Sequence, residues 1–139
     1  MRGNKMKHRI LFVEDDYITI DCAVTHLEIS GHEVHVCEEI AIALSRLRYE
    51  NFTMIFLDVM LPPGDQFSLT ETVNGRYTGL RVLEKVFTDE HYKQARSASW
   101  FLITNWRDEP EVDAVAISHN IPILRKPLTI EQINEAISK

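Results

Sequence analysis

Short apolar runs alternate with segments of helical spacing along this chain. Five runs are too short for typical helices and predict strands, at residues 8–13, 33–36, 53–58, 100–103 and 121–124. The first, third and fourth runs are almost wholly apolar, which is typical of strands buried on both faces of a sheet. The second run alternates polar and apolar residues and the fifth contains Pro122, so both are predicted to be edge strands.

A helical pattern follows each predicted strand. Apolar residues three and four positions apart predict helices that begin near Asp16, Ile40, Gly79, Pro110 and Thr129. Asp16 and Thr129 are predicted to cap the helices that follow them, and Gly31 is predicted to end the first helix. Residues 63–78 form a polar stretch that predicts a long loop.

This alternation predicts an α/β fold in which helices cover both faces of a parallel sheet. With the two edge strands placed outermost, the strand order is 2-1-3-4-5, which is that of a flavodoxin-like (βα)5 three-layer sandwich. The 139 residues suffice for one such domain. We expect residues 1–7 to be an N-terminal extension and residues 8–139 to be the domain.

Composition narrows the classes of function. The formal charge of −6 and the lack of a Lys/Arg-rich stripe argue against direct binding of nucleic acid. No apolar run approaches the roughly 20 residues that span a bilayer, so no membrane association is expected. The two cysteines, Cys22 and Cys37, have no metal-binding spacing, and a reduced cytoplasmic protein is the simplest account.

Polar side chains follow four of the predicted strands, and the topology brings them to one edge of the sheet. They are Glu14 and Asp15 after the first strand, Asp58 ending the third, Thr104 after the fourth and Lys126 after the fifth. Neighbouring carboxylates repel, which raises their pKa values or favours a bound cation. Oxygen ligands suit Mg²⁺ better than zinc. Each residue alone also has an ordinary role as a helix cap, a strand end or a solvated lysine.

Together these groups supply the parts for phosphoryl transfer. Asp58 can attack phosphorus, Mg²⁺ and Lys126 can neutralise charge on the phosphoryl oxygens, and Thr104 can donate a hydrogen bond to the transferred group. A Mg²⁺-dependent phosphohydrolase with an Asp nucleophile is an alternative. Such an enzyme usually has a second acid two residues beyond the nucleophile, and this chain has Met60 there.

Residues 8–139 resemble the receiver domain of two-component response regulators. The resemblance rests on residues 10–16 with their acid pair, on residues 57–62 with Asp58 four positions before Pro62, on Ile103-Thr104 and on Lys126-Pro127. It implies a phosphoacceptor signalling domain and not an enzyme acting on an external substrate. Asp58 would receive a phosphoryl group from a histidine kinase or a phosphotransfer protein, and the domain would signal by a change of conformation.

The resemblance also implies the metal ligands. Asp15, Asp58 and the backbone carbonyl of Met60 would hold Mg²⁺, and Glu14 would support the ion through water.

The remaining implied features lie on the fourth and fifth strands. Thr104 and Lys126 would contact the phosphoryl group, and the Lys126-Pro127 peptide bond would be cis. Members of this family often dimerise through this side of the domain, so a homodimer is one form that the chain could take.

Three features depart from the pattern of that family. Ile123 stands where an aromatic residue is usual, which puts the coupling of an aromatic side chain to Thr104 in doubt and motivates the alternative of a phosphorylation-independent receiver-like adaptor. Asn105 and Trp106 stand where small residues are usual. They would either shield the phosphorus atom or, if Trp106 turns away to pack on a neighbouring helix, leave it open. Residues 63–78 are longer than the usual connection, and would either order on phosphorylation or be a passive insertion.

Overall fold

The computed structural model describes residues 7–105 and 109–138. Within these ranges the chain forms five strands, Arg9–Val13 (β1), Glu33–Cys37 (β2), Met54–Asp58 (β3), Ser99–Thr104 (β4) and Ile123–Arg125 (β5). The α-helices are Asp21–Ile29 (α1), Ile40–Tyr49 (α2), Leu69–Thr72 (α3), Thr78–Thr88 (α4), Pro110–His119 (α5) and Ile130–Ser138 (α6). Two 3₁₀ helices cover Tyr17–Thr19 and Glu90–Ser97.

The sheet is parallel throughout and has the strand order β2-β1-β3-β4-β5. This confirms the predicted flavodoxin-like order. Every residue of β3 is buried, as its apolar sequence predicts for a central strand. The edge positions of β2 and β5 are also confirmed, and in β2 only Cys37 is fully buried.

Helices cover both faces of the sheet, so the domain has two apolar layers. On one face the side chains of α1 and α6 pack against β1, β3 and β4. In that layer Phe12, Phe56 and Phe101 stack across the three strands, with ring centroids 4.6 and 4.9 Å apart. On the other face lie α2, α4 and α5. The described part of the chain contains no helix that is both long and apolar enough to cross a membrane.

The predicted cap at Asp16 is wrong. The chain first forms the 3₁₀ helix Tyr17–Thr19, and α1 begins only after Ile20. The Asp16 side chain makes no capping hydrogen bond; instead its backbone carbonyl accepts hydrogen bonds from the Thr19 amide at 3.2 Å and the Thr19 hydroxyl at 2.8 Å. After this extra turn Ile20 is fully buried in the apolar layer that α1 and α6 form against the sheet.

The other helix boundaries agree better with the sequence. Gly31, with a φ of +96°, follows the last turn of α1 as predicted. Thr129 caps α6, because its hydroxyl accepts a hydrogen bond from the Gln132 amide at 3.1 Å. Strand β5 begins after Pro122, whose carbonyl accepts a hydrogen bond from the Leu102 amide at 3.0 Å.

Residues 63–78, for which the sequence pattern predicts a long loop, include one short helix. They contain α3, which starts with a capping box: the Ser68 hydroxyl accepts from the Glu71 amide at 3.0 Å, and the Glu71 carboxylate accepts from the Ser68 amide at 2.8 Å. The Ser-x-x-Glu spacing is visible in the sequence and was the missed signal.

Gly79 allows the start of α4 to pack directly on the end of β3. A Cβ atom at this position would lie 2.3 Å from the Asp58 carbonyl oxygen and 2.8 Å from the Val59 Cα. The Gly79 amide donates a 2.8 Å hydrogen bond to the Val59 carbonyl. The absence of a side chain at Gly79 therefore fixes the distance between helix α4 and the strand end that carries Asp58.

We expect Gly79→Ala to destabilise the domain by about 1–3 kcal/mol, because the clash is with backbone that can yield only by moving the strand end. Urea unfolding followed by circular dichroism measures the loss. Gly64→Ala is the matched control, since nothing lies within 4 Å of its Cβ position and only its φ of +58° opposes a side chain, at a cost of about 1 kcal/mol. Equal losses for the two variants would contradict the steric explanation.

Candidate functional site

The ends of β1 and β3 bring the predicted carboxylates together. These strands are neighbours, with Val13 paired to Leu57, so Glu14 and Asp58 follow at the same level of the sheet. The connection after β1 runs to β2 on one side, and the connection after β3 runs to β4 on the other. A crevice therefore opens between the two strand ends, where open α/β sheets bind their ligands.

Three carboxylates form a compact group in this crevice. Glu14 is fully buried, Asp58 is 2% exposed, and Asp15 is exposed to solvent. One carboxylate oxygen from each lies within 4.8 Å of the others. Three oxygen donors at this spacing suit a hard divalent cation such as Mg²⁺ or Ca²⁺.

Lys126 lies against the two buried carboxylates. Its Nζ donates hydrogen bonds to Glu14 Oε1 at 2.6 Å and to Asp58 Oδ2 at 3.1 Å. Its side chain is only 4% exposed, so it is not a solvated surface lysine. The Lys126-Pro127 peptide bond is cis, in agreement with the prediction.

The electrostatics of the group are unbalanced, because one buried ammonium faces two buried carboxylates. Burial and the neighbouring Glu14 carboxylate raise the pKa of Asp58 to about 8. Burial opposes ionisation of Glu14 as well, but hydrogen bonds with Asp58 and Lys126 outweigh it and lower the pKa of Glu14. Burial and Glu14 raise the pKa of Asp15. The site therefore either keeps a proton or attracts a further positive charge.

Thr104 reaches the same edge from β4. It is 5% exposed, and it lies one residue beyond Ile103, which pairs with Asp58. Its carbonyl accepts a 2.9 Å hydrogen bond from the Lys126 amide, which ties the ends of β4 and β5 together. The structure thus brings Thr104 to the site edge, while contact of its hydroxyl with a phosphoryl group stays a prediction.

Asp58 lies at the floor of a cleft of about 520 Å³. The Met60 amide donates a 3.3 Å hydrogen bond to Asp58 Oδ1, and the Met60 side chain is 38% exposed. The predicted neighbour Asn105 also lines the cleft, whereas Trp106 lies outside the described residues. The lining residues are Asp15, Asp16, Asp58, Met60, Leu61, Pro62, Pro63, Leu69, Asn74, Gly75, Asn105 and Lys126.

Seven of these lining residues were not predicted as part of the site, and four of the seven lie in residues 63–78. Pro63, Leu69, Asn74 and Gly75 come from the segment that was predicted as a loop. The segment starts only a few residues after Asp58, which was the one signal that it lies near the site. Its path back over the cleft depends on α3, which the loop prediction did not include.

Comparisons with known proteins support the fold. No protein-family model and no curated protein matches this chain. Among solved structures, a CheY-like response regulator receiver domain from Methanospirillum hungatei is 22% identical, with 96% of this chain and 95% of that chain covered and a TM-score of 0.69. A bacteriophytochrome response regulator is 28% identical, with 96% and 77% covered and a TM-score of 0.68.

A third similar structure is a response regulator from Burkholderia pseudomallei, which was solved with a phosphorylated aspartic acid, a calcium ion and citrate. It is 20% identical to this chain, with 95% of this chain and 66% of that chain covered and a TM-score of 0.69. These likenesses cover nearly the whole chain, so its fold is that of the solved structures.

We expect Asp58→Asn to stabilise the metal-free protein by about 1–3 kcal/mol at pH 8–9, because an ionised Asp58 next to the Glu14 carboxylate destabilises the folded state. The pKa of Asp58 in the folded protein, about 8, lies well above the ordinary value of an aspartic acid side chain. Protonated Asp58 therefore favours folding at low pH, and this contribution is lost as the pH rises through the folded pKa. The advantage of Asn should accordingly shrink toward pH 4.

Urea unfolding with a chelator at several pH values measures this difference. Asp65→Asn is the control, since Asp65 is exposed and lies outside the carboxylate group. If Asp58→Asn is less stable than the parent at pH 8–9, the attraction between Lys126 and Asp58 outweighs the repulsion between Glu14 and Asp58.

Proposed function

We propose that this chain, which has the fold of response regulator receiver domains, accepts a phosphoryl group on Asp58 and signals by the resulting change of conformation. The observation that carries the proposal is the buried Asp58 carboxylate, with Lys126 Nζ at 3.1 Å and two further carboxylates beside it. In this fold ligands bind at that edge of the sheet. The proposed domain is residues 8–139, and residues 1–7 are proposed as an extension.

Asp58 is proposed as the nucleophile. One of its oxygens attacks phosphorus, the bond between phosphorus and the donor breaks, and the electron pair leaves with the donor atom. The Lys126 ammonium and the Met60 amide each hold one oxygen of Asp58, at 3.1 and 3.3 Å, and so fix the plane of the carboxylate. This orientation reduces the entropy lost in reaching the reactive geometry.

The carboxylate group fits Mg²⁺, which we propose as the cofactor. Asp15, Asp58 and the backbone carbonyl of Met60 would hold the ion, and Glu14 would support it through water. The donor set consists of oxygen atoms only, and a divalent cation would relieve the excess negative charge that raises the pKa of Asp58. When bound, the ion would supply positive charge to the phosphoryl oxygens during transfer.

Lys126 and Thr104 are proposed to report the presence of the phosphoryl group. Lys126 would exchange part of its pairing with Glu14 and Asp58 for a phosphoryl oxygen, and the Thr104 hydroxyl would donate a hydrogen bond to another. Because the Lys126 amide donates a hydrogen bond to the Thr104 carbonyl, the two residues would move together. The edge strand β5, which carries Ile123, would move with them.

The proposed donor is a histidine kinase or a phosphotransfer protein, and the chain is proposed to act as a signalling domain and not as an enzyme on an external substrate. A cytoplasmic location goes with such a donor. The net charge of −6 favours a protein partner over nucleic acid. A homodimer stays a prediction.

Incubation with acetyl phosphate and Mg²⁺ should add one phosphoryl group, because the buried carboxylate is both oriented and accessible through the cleft. Intact mass spectrometry should show one acid-labile adduct on the parent protein and on Asp65→Asn, and none on Asp58→Asn. An adduct that persists on Asp58→Asn would place the phosphoacceptor elsewhere.

Asp15→Asn should weaken Mg²⁺ binding about tenfold or more, because an amide oxygen carries no charge to offset that of the ion. Isothermal titration calorimetry measures the affinity. Asp16→Asn is the matched control, since Asp16 lines the same cleft but is not among the three clustered carboxylates, and its effect should be smaller. Unchanged affinity in Asp15→Asn would remove Asp15 from the metal site.

A further inference from the structure

Residues 63–77 build one wall of the cleft above Asp58, and they are named the cleft wall here. The wall contributes Pro63, Leu69, Asn74 and Gly75 to the lining of the cleft. It is therefore placed to contact anything that enters to react with Asp58. The roles proposed above for the carboxylates, Thr104 and Lys126 do not involve the cleft wall.

The cleft wall is held by hydrogen bonds of its own. The capping box fixes the first turn of α3, and fully buried Thr72 donates its hydroxyl to the Ser68 carbonyl at 2.9 Å. The same hydroxyl accepts a bond from the Gly75 amide at 3.0 Å, and the Gly75 carbonyl accepts one from the Leu61 amide at 3.2 Å. These bonds fix the path of the wall between the end of β3 and the start of α4.

The turn that ends α3 is strained. Val73, Asn74 and Gly75 have successive positive φ angles of 52°, 58° and 86°. A positive φ costs roughly 1–2 kcal/mol for a residue with a side chain, and it is especially unfavourable for a β-branched residue such as Val73. The turn persists because the surrounding bonds hold it, including a 2.7 Å bond from the Asn74 amide to the Leu69 carbonyl.

A buried carboxylate from another part of the chain anchors the far end of the wall. Glu109, which directly precedes α5 and is 8% exposed, accepts hydrogen bonds from the Arg76 guanidinium and, at 3.0 Å, from the Tyr77 hydroxyl. Leu69 is therefore held at the cleft by a segment that is fixed at both ends.

The burial pattern separates the floor of the cleft from its mouth. Asp58 at the floor is 2% exposed, whereas Leu69 is 59% exposed and Met60 is 38% exposed. When the Asp58 oxygen attacks phosphorus, the leaving group departs in line on the opposite side of the phosphorus atom. It must therefore lie toward the mouth, where Leu69 and Met60 present apolar surface and Asp16 presents an acid.

We propose that Leu69 is a specificity-determining residue that favours phosphoryl donors with an imidazole leaving group, the chemistry of a phosphohistidine side chain. The inference rests on the proposed phosphorylation of Asp58. An imidazole ring has apolar faces that can pack on Leu69, and its N–H can be accepted by a carboxylate such as Asp16. The acetate released from acetyl phosphate has only a methyl group to pack on Leu69 and no N–H to donate, and the ammonia from phosphoramidate has no apolar surface.

The reaction with such a donor balances without a further reactant. An Asp58 carboxylate oxygen forms a bond to phosphorus as the P–N bond breaks, and the electron pair remains on the ring nitrogen. The ring already carries a proton on its other nitrogen and leaves as neutral imidazole.

Three small donors that differ only in the leaving group test the proposal. The second-order rate constant for phosphorylation of the full chain is measured with monophosphoimidazole, acetyl phosphate and phosphoramidate, with Mg²⁺ present throughout. Leu69→Ala should lower the rate constant for monophosphoimidazole about three- to tenfold, from the loss of apolar contact, and leave that for phosphoramidate within about twofold. Leu69→Met should restore most of the loss.

Ile117→Ala is the matched control, since Ile117 is 80% exposed on α5 and does not line the cleft. It should leave all three rate constants unchanged. If Leu69→Ala lowers the rate constants for all three donors equally, the wall acts only on the shape of the site. If it changes none of them, Leu69 has no part in donor recognition. Either result overturns the proposal. A parent protein that none of the donors phosphorylates would instead contradict the proposed function itself.

Discussion

The excess of buried negative charge at the ends of β1 and β3 governs the candidate site. Glu14 and Asp58 are held out of water by the strands that carry them, and Lys126 compensates only one of the two charges. A folded domain would not keep this arrangement for stability alone, because a buried carboxylate without full compensation is costly. The cost is relieved by a proton, by a cation or by chemistry at Asp58.

That charge group depends on backbone geometry as much as on side chains. The parallel register of β1 and β3 sets the two carboxylates level, and Gly79 allows α4 to approach the end of β3 to within contact of its backbone. The hydrogen bond from the Lys126 amide to the Thr104 carbonyl then places the Lys126 ammonium, which follows the edge strand β5, beside the same two carboxylates. Each of these contacts involves backbone atoms, so the relative positions of the site residues can change little.

The strand order, and the position of the candidate site residues at one edge of the sheet, could be predicted because their signals are strong and local. Wholly apolar runs differ from alternating ones, and four strand ends carry polar residues that a parallel sheet must bring to one edge. The cap at Asp16 failed because the burial of Ile20 decides where α1 begins, which is a tertiary effect. The helix in the cleft wall could have been predicted from the Ser68-x-x-Glu71 spacing. The path of the wall after that helix could not, since three successive left-handed residues direct it and the sequence shows only one glycine among them.

Strand β5 differs from β3 in its support. It has three residues and pairs with one neighbour only, whereas β3 has five residues and is bonded on both sides. Local opening of a protein takes place most readily where few hydrogen bonds and little apolar contact must be broken. The two halves of the site therefore differ in local stability, with Asp58 in the most protected part of the sheet and Lys126 next to its most easily opened strand. A change at Asp58, in the rigid half, can therefore cause motion near Lys126 and β5 without destabilising the domain as a whole.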